Sequence, residues 1–154
     1  MSTGIRGFYL VTEFIKENLL EDINVNTVTF GELEDIDLKK QTLYPLSHLN
    51  IVSAIPLETA LQFTITVISM DLVDENKEDE SDIFTGNDNE QDVLNTQCAV
   101  LTKLVGKIRR NRNIDEYELI GEPTLEPFTD RFGNKVAGWV LTMDLQIPND
   151  VFLC

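Results

Sequence analysis

His48 is the only histidine in the chain, so the side chain that most often serves as general base or metal ligand occurs once. With no second histidine, the common metal sites and base–nucleophile pairs lose their usual supplier. A strand-like neighbourhood favours a structural or surface role for it. Cys98 falls on an apolar helical stripe and reads as a small core residue, and Cys154 is a terminal thiol. Two cysteines without motif spacing make neither a disulfide framework nor a zinc site, and a reduced cytosol is the default place of synthesis. Cys154 is expected to pair between subunits only in an oxidising compartment. Asp74, Asn76 and Glu78 alternate as calcium ligands do, but Asp79 stands where an EF-hand loop needs glycine. Loose binding of Mg²⁺ or Ca²⁺ stays open; a specific metal site does not follow. The eight glycines never approach a phosphate-cradling loop. The residues therefore predict no enzyme, no cofactor and no catalytic group.

Charge is the stronger signal. The 154 residues carry a formal net charge of −15, which argues against a protein that binds nucleic acid by neutralising phosphates. Ten acids stand against the single Lys77 between Asp71 and Asp92. Within that run, Asp74, Glu75, Glu78, Asp79, Glu80 and Asp82 form either a solvated loop or an acidic surface that repels DNA or attracts cations. The opposite sign gathers at Lys103, Lys107, Arg109, Arg110 and Arg112. These cations either complement a helix dipole or meet the acidic loop of a neighbouring subunit. Asp130 and Arg131, between Phe128 and Phe132, suit a local ion pair at a turn or a subunit interface.

The elements that must position these groups follow from hydrophobic period. Phe8, Val11, Phe14, Ile15 and Leu19 predict an amphipathic helix over Gly7–Leu20. Val25 to Phe30 is a short strand or extended arm stopped by Gly31, and Glu32 to Lys40 is a charged loop. Pro45 marks a boundary, after which His48–Ile55 and Leu61–Ser69 form an antiparallel hairpin across a short Pro56–Ala60 connection. A second helix follows the acidic run, with Leu94, Cys98, Leu101, Val105 and Ile108 as its stripe and Val93, Val100 and Leu104 beside it. Glu116–Leu125 is weaker strand material broken by Gly121 and Pro123, and Gly133-Asn134 offers a turn. The last strand alternates cleanly: Trp139, Leu141, Met143, Leu145 and Ile147 on one side, Val140, Thr142, Asp144 and Gln146 on the other. Trp139 is placed in the core. The expected fold is one α+β domain over 1–154, with 71–89 as an acidic loop. Its sheet is mostly antiparallel, and an N-terminal helix and a long central helix pack on one face. No apolar run approaches the ~20 residues of a membrane helix.

Several stretches carry a resemblance: Tyr44-Pro45-Leu46-Ser47-His48, Ser69-Met70-Asp71, Asp92-Val93-Leu94-Asn95-Thr96, and Pro127-Phe128 through Pro148-Asn149. With them the chain resembles small virion proteins of tailed bacteriophages, of the tail-completion, tail-terminator and neck-ring kind, closest to phages of Bacteroidetes bacteria, crAss-like phages included. The resemblance implies a virion subunit made in the host bacterial cytoplasm. It would form a homo-oligomeric ring of six or twelve copies that docks on portal, neck or tail proteins. DNA would pass through unbound, and no membrane would be involved. It supplies no catalytic residue. A different class also fits the charge: an acidic DNA mimic that inhibits a host nuclease or DNA-binding protein.

Overall fold

In the computed structural model, residues 7–32, 44–73, 90–110, 118–129 and 136–148 are described. They form helix α1 (Gly7–Leu20), strands β1 (Thr27–Phe30), β2 (Leu46–Pro56) and β3 (Ala60–Leu72), helix α2 (Glu90–Arg110), and strands β4 (Glu118–Thr129) and β5 (Val136–Pro148). One five-stranded sheet has the order β1-β2-β3-β5-β4. Every pair is antiparallel except β1 with β2, which run parallel from Thr27↔Leu46 to Phe30↔Leu49. The α+β class, the mostly antiparallel sheet, the N-terminal helix and the hairpin agree with the sequence reading.

Both helices lie on one face. Val11, Ile15 and Leu19 of α1 and Val100, Leu101, Leu104 and Ile108 of α2 share a core with Phe63, Ile65 and Val67 of β3 and Leu141, Met143, Leu145 and Ile147 of β5. Burying an aliphatic side chain of this size stabilises by roughly 1.5–3 kcal/mol, so the alternation in β5 alone fixes its register. A one-residue slip would turn its apolar side to the open face. That open face carries a smaller apolar cluster at one end, formed by Tyr44, Leu46, Met70, Phe128 and Val136. Gly138 sits within it, where β5 approaches β3 closely. A Cβ there would overlap the Ser69 carbonyl oxygen and come 2.8 Å from the Met70 Cα.

Three expectations are corrected. Gly121 and Pro123 do not break β4. The strand continues through them because a bulge between Ile120 and Thr124 absorbs the irregularity, with Gly121 at φ +68°. The acidic segment begins later than 71, since Asp71 and Leu72 pair with Ala137 and Val136 and complete β3. The buried stripe of α2 is also rotated. Val93, Gln97, Val100, Leu101, Leu104 and Ile108 are buried, whereas Leu94, Cys98 and Val105 are only half-buried. Cys98 is thus a flank residue of the helix and not a core one. The acids Asp74 to Asp82, Arg112, Asp130, Arg131, the 33–40 part of the charged loop, the Gly133-Asn134 turn and Cys154 lie outside the described residues.

Candidate functional site

His48 is buried in β2 and bridges to the parallel strand beside it. Its Nε2 lies 2.8 Å from the Gly31 carbonyl oxygen and its Nδ1 2.8 Å from Thr29 Oγ1. A carbonyl only accepts, so Nε2–H donates to Gly31 and Nδ1 accepts from the threonine hydroxyl. Gly31 holds φ +105°, which aims that carbonyl and suits glycine. Burial pushes the imidazole below its ordinary pKa, opposed by the Gly31 carbonyl and the Glu32 charge. Both nitrogens are engaged, so this histidine clamps β1 to β2 and is not poised for proton transfer. Asp71, half-buried, is raised by burial and partly offset by the Leu72 N–H, which donates to Oδ1 at 2.8 Å. Among the described residues no three His, Cys, Asp or Glu side chains converge as metal ligands.

The basic end of α2 is engaged within the chain. Lys103 lies 3.8 Å from the nearly buried Asp22, Lys107 3.2 Å from Glu21, and Arg109 2.8 Å from Glu122 in the β4 bulge. Glu21 and Asp22 follow the last turn of α1, so these contacts tie the two helices and β4 together. At such exposure the Lys107 and Arg109 pairs contribute little, typically below ~1 kcal/mol each, and leave those cations open to exchange partners. Arg110 makes no ion pair among the described residues. Every described lysine and arginine is on a helix, and no strand contains one.

Cross-strand partners share a face. The open face therefore presents Asn50, Gln62, Thr64, Thr66, Thr124, Glu126, Thr142, Asp144, Gln146 and Glu118, with the Thr64 hydroxyl donating to Asp144 Oδ1 at 2.7 Å. Apart from Ile55 and Ile120, which pair with Gln62 and Asp144 on the same face, the resulting surface is polar and acidic.

A different surface lies where α1 meets β1. Phe8 packs edge-to-face on Tyr9, Phe30 and Phe63 at 6.4, 5.9 and 6.1 Å. Phe8, Tyr9, Val28, Phe30 and Leu49 line an open groove of about 250 Å³, with Glu13 and Lys16 also on its wall. Tyr9 is 68% and Phe30 54% exposed. Beside it β1 ends opposite Leu49, and Asn50–Pro56 of β2 has no outer strand partner among the described residues. Val52, the extra residue of a bulge between Ile51 and Ser53, is 57% exposed, and Ile55 is 48% exposed. Clustered apolar exposure of this kind marks contact surfaces.

Sequence reading missed Gln97, which is 1% exposed at the centre of the helix–sheet interface. Ser69 Oγ donates to Gln97 Oε1 at 2.5 Å, so the Ser47 hydroxyl, 3.3 Å from Ser69 Oγ, is the donor to Ser69. Gln97 Nε2 has no partner among the described residues. Nearby, Trp139 is half-buried and its Nε1–H donates to the Leu94 carbonyl at 2.7 Å, pinning the first turns of α2 to β5. The available signal was spacing: Gln97 stands four residues from both Val93 and Leu101.

The sequence matches no protein-family model and no curated protein. Among the described residues no helix is long and apolar enough to cross a membrane.

Proposed function

We propose that this chain is a structural subunit of a tailed-phage head–tail ring, in the neck or at the tail terminus, through which DNA passes. Its place would be the virion, on portal or tail proteins, and its role assembly rather than catalysis. The observation that carries the reading is the confinement of the described cations to the helical layer. The helical layer holds all the described cations, while the open sheet face offers hydroxyls, amides and the carboxylates of Glu118, Glu126 and Asp144. A channel wall of that composition offers phosphates no cation, and its carboxylates repel them, so DNA slides. Lys107 and Arg109 of α2 are held by exposed ion pairs, which a neighbouring acidic surface can replace in a heterologous, ring-closing contact.

Native mass spectrometry with and without Mg²⁺, together with proteomics of purified virions, tests the reading. A closed assembly of six or twelve copies, or a fixed copy number in virions, is expected. A monomer that virions lack would overturn it. The DNA-mimic alternative predicts instead a monomer that inhibits a nuclease and loses inhibition when the acids from Asp74 to Asp82 are neutralised.

A further inference from the structure

We propose that the free outer edge of β2 is a homotypic docking strand, on which a second copy of this chain pairs its own β2 edge antiparallel across a two-fold axis. Four observations converge on it. Beyond Leu49 the strand has no outer neighbour among the described residues, so its main-chain donors and acceptors on that side are available to a ladder. Val52, Ile55 and Leu57 are exposed along it, and the Phe8–Tyr9–Phe30 surface extends the apolar area towards α1.

Charge selects the occupant. From Tyr44 to Leu57 the sequence has no acid and no lysine or arginine, in a chain of net charge −15. Two copies repel wherever their carboxylates face each other; an uncharged strip is where they can approach. A basic partner would be drawn to other surfaces. Identical edges complement one another when antiparallel, which is the pairing a two-fold axis generates.

The opposite edge of the same sheet supplies the contrast. Strand β4 bears Glu118, Glu122 and Glu126, the prolines 123 and 127, and a glycine-bearing bulge. Each of these blocks edge pairing. On β2 only the Val52 bulge and the terminal Pro56 interrupt the edge, so the ladder is short and association depends on concentration.

This inference stands apart from the ring reading, because ring closure uses a heterologous contact elsewhere, whereas the two-fold contact joins copies, or whole rings, in pairs. Sedimentation velocity of the full chain over a range of concentrations, at low and high salt, tests it. Pairs are expected, strengthening as salt screens the net charge. Ile55→Lys should weaken pairing about tenfold or more, since a lysine on an edge strand guards it against pairing and both copies then bear one. Thr124→Lys, an equal charge change on exposed β4, should leave pairing intact. If the protein runs as twelve copies, Ile55→Lys should leave six. A chain that stays monomeric throughout, or association that survives both Ile55→Lys and Val52→Lys, would overturn the proposal. Equal loss with Thr124→Lys would overturn it as well. Rings kept while pairs are lost, or the reverse, separates this claim from the ring.

Discussion

Strand β4 and the outer half of β2 both end the same sheet, yet among the described residues one edge is guarded and the other is bare. Along β4 three glutamates, two prolines and a bulge at Gly121 interrupt any ladder. Along Asn50–Pro56 the exposed residues are neutral, and Val52 and Ile55 turn apolar side chains outward. General solubility would call for protection of both edges. Protection of one alone is what the proposed contact at β2 requires. The flanks also differ inside: β1 is held to β2 by a buried histidine, while the β4 side is reached from α2 by an exposed Arg109–Glu122 pair.

The comparison can be broken at the seam that both edges share. Gly138→Ala would drive a methyl group into the β3 backbone, and about 3 kcal/mol of stability should be lost in denaturant titration. A next, smaller effect concerns the β1–β2 flank alone. His48→Ala leaves the Gly31 carbonyl without its donor and should cost about 2 kcal/mol, with amide exchange rising in β1 but not in β4. The same residue sets a pH dependence. Because burial lowers its pKa from 6.5, the unfolded chain binds the proton more readily. Its contribution is complete above about 6.5 and declines as pH falls below it. His48→Gln should remove that component from the pH profile of stability.

Exchanging the guards sharpens the contrast. Glu118→Thr with Glu126→Thr strips β4 and should raise self-association about tenfold by light scattering, less if the prolines and bulge suffice alone. Gly121→Ala forces an L-residue into φ +68° and should cost about 1 kcal/mol, read as a lower melting temperature. Arg109→Ala, which removes an exposed pair, should change stability by less than about 0.5 kcal/mol.

What the sequence reading captured is what period alone determines. The ends of α1, the β2–β3 hairpin and the alternation of β5 follow from apolar spacing, because a buried face imposes it. The rotation of α2 escaped because a search for apolar residues passes over Gln97, although a polar side chain occupies the middle of the buried stripe. Strand β4 looked broken because Gly121 and Pro123 ordinarily end strands; at an edge a bulge absorbs both. The partners of Lys103, Lys107 and Arg109 could not be read locally, since Asp22, Glu21 and Glu122 reach them only through tertiary packing. Edge status itself is a property of strand order, so the bare run in β2 acquires meaning only beside β1, which ends opposite Leu49.

Hydrogen–deuterium exchange at low and high protein concentration tests the contrast most directly. The account predicts that amides of Asn50–Ile55 gain protection as concentration rises while those of β4 do not change. Protection arising on β4 instead, or exchange in β2 that is indifferent to concentration, would contradict it.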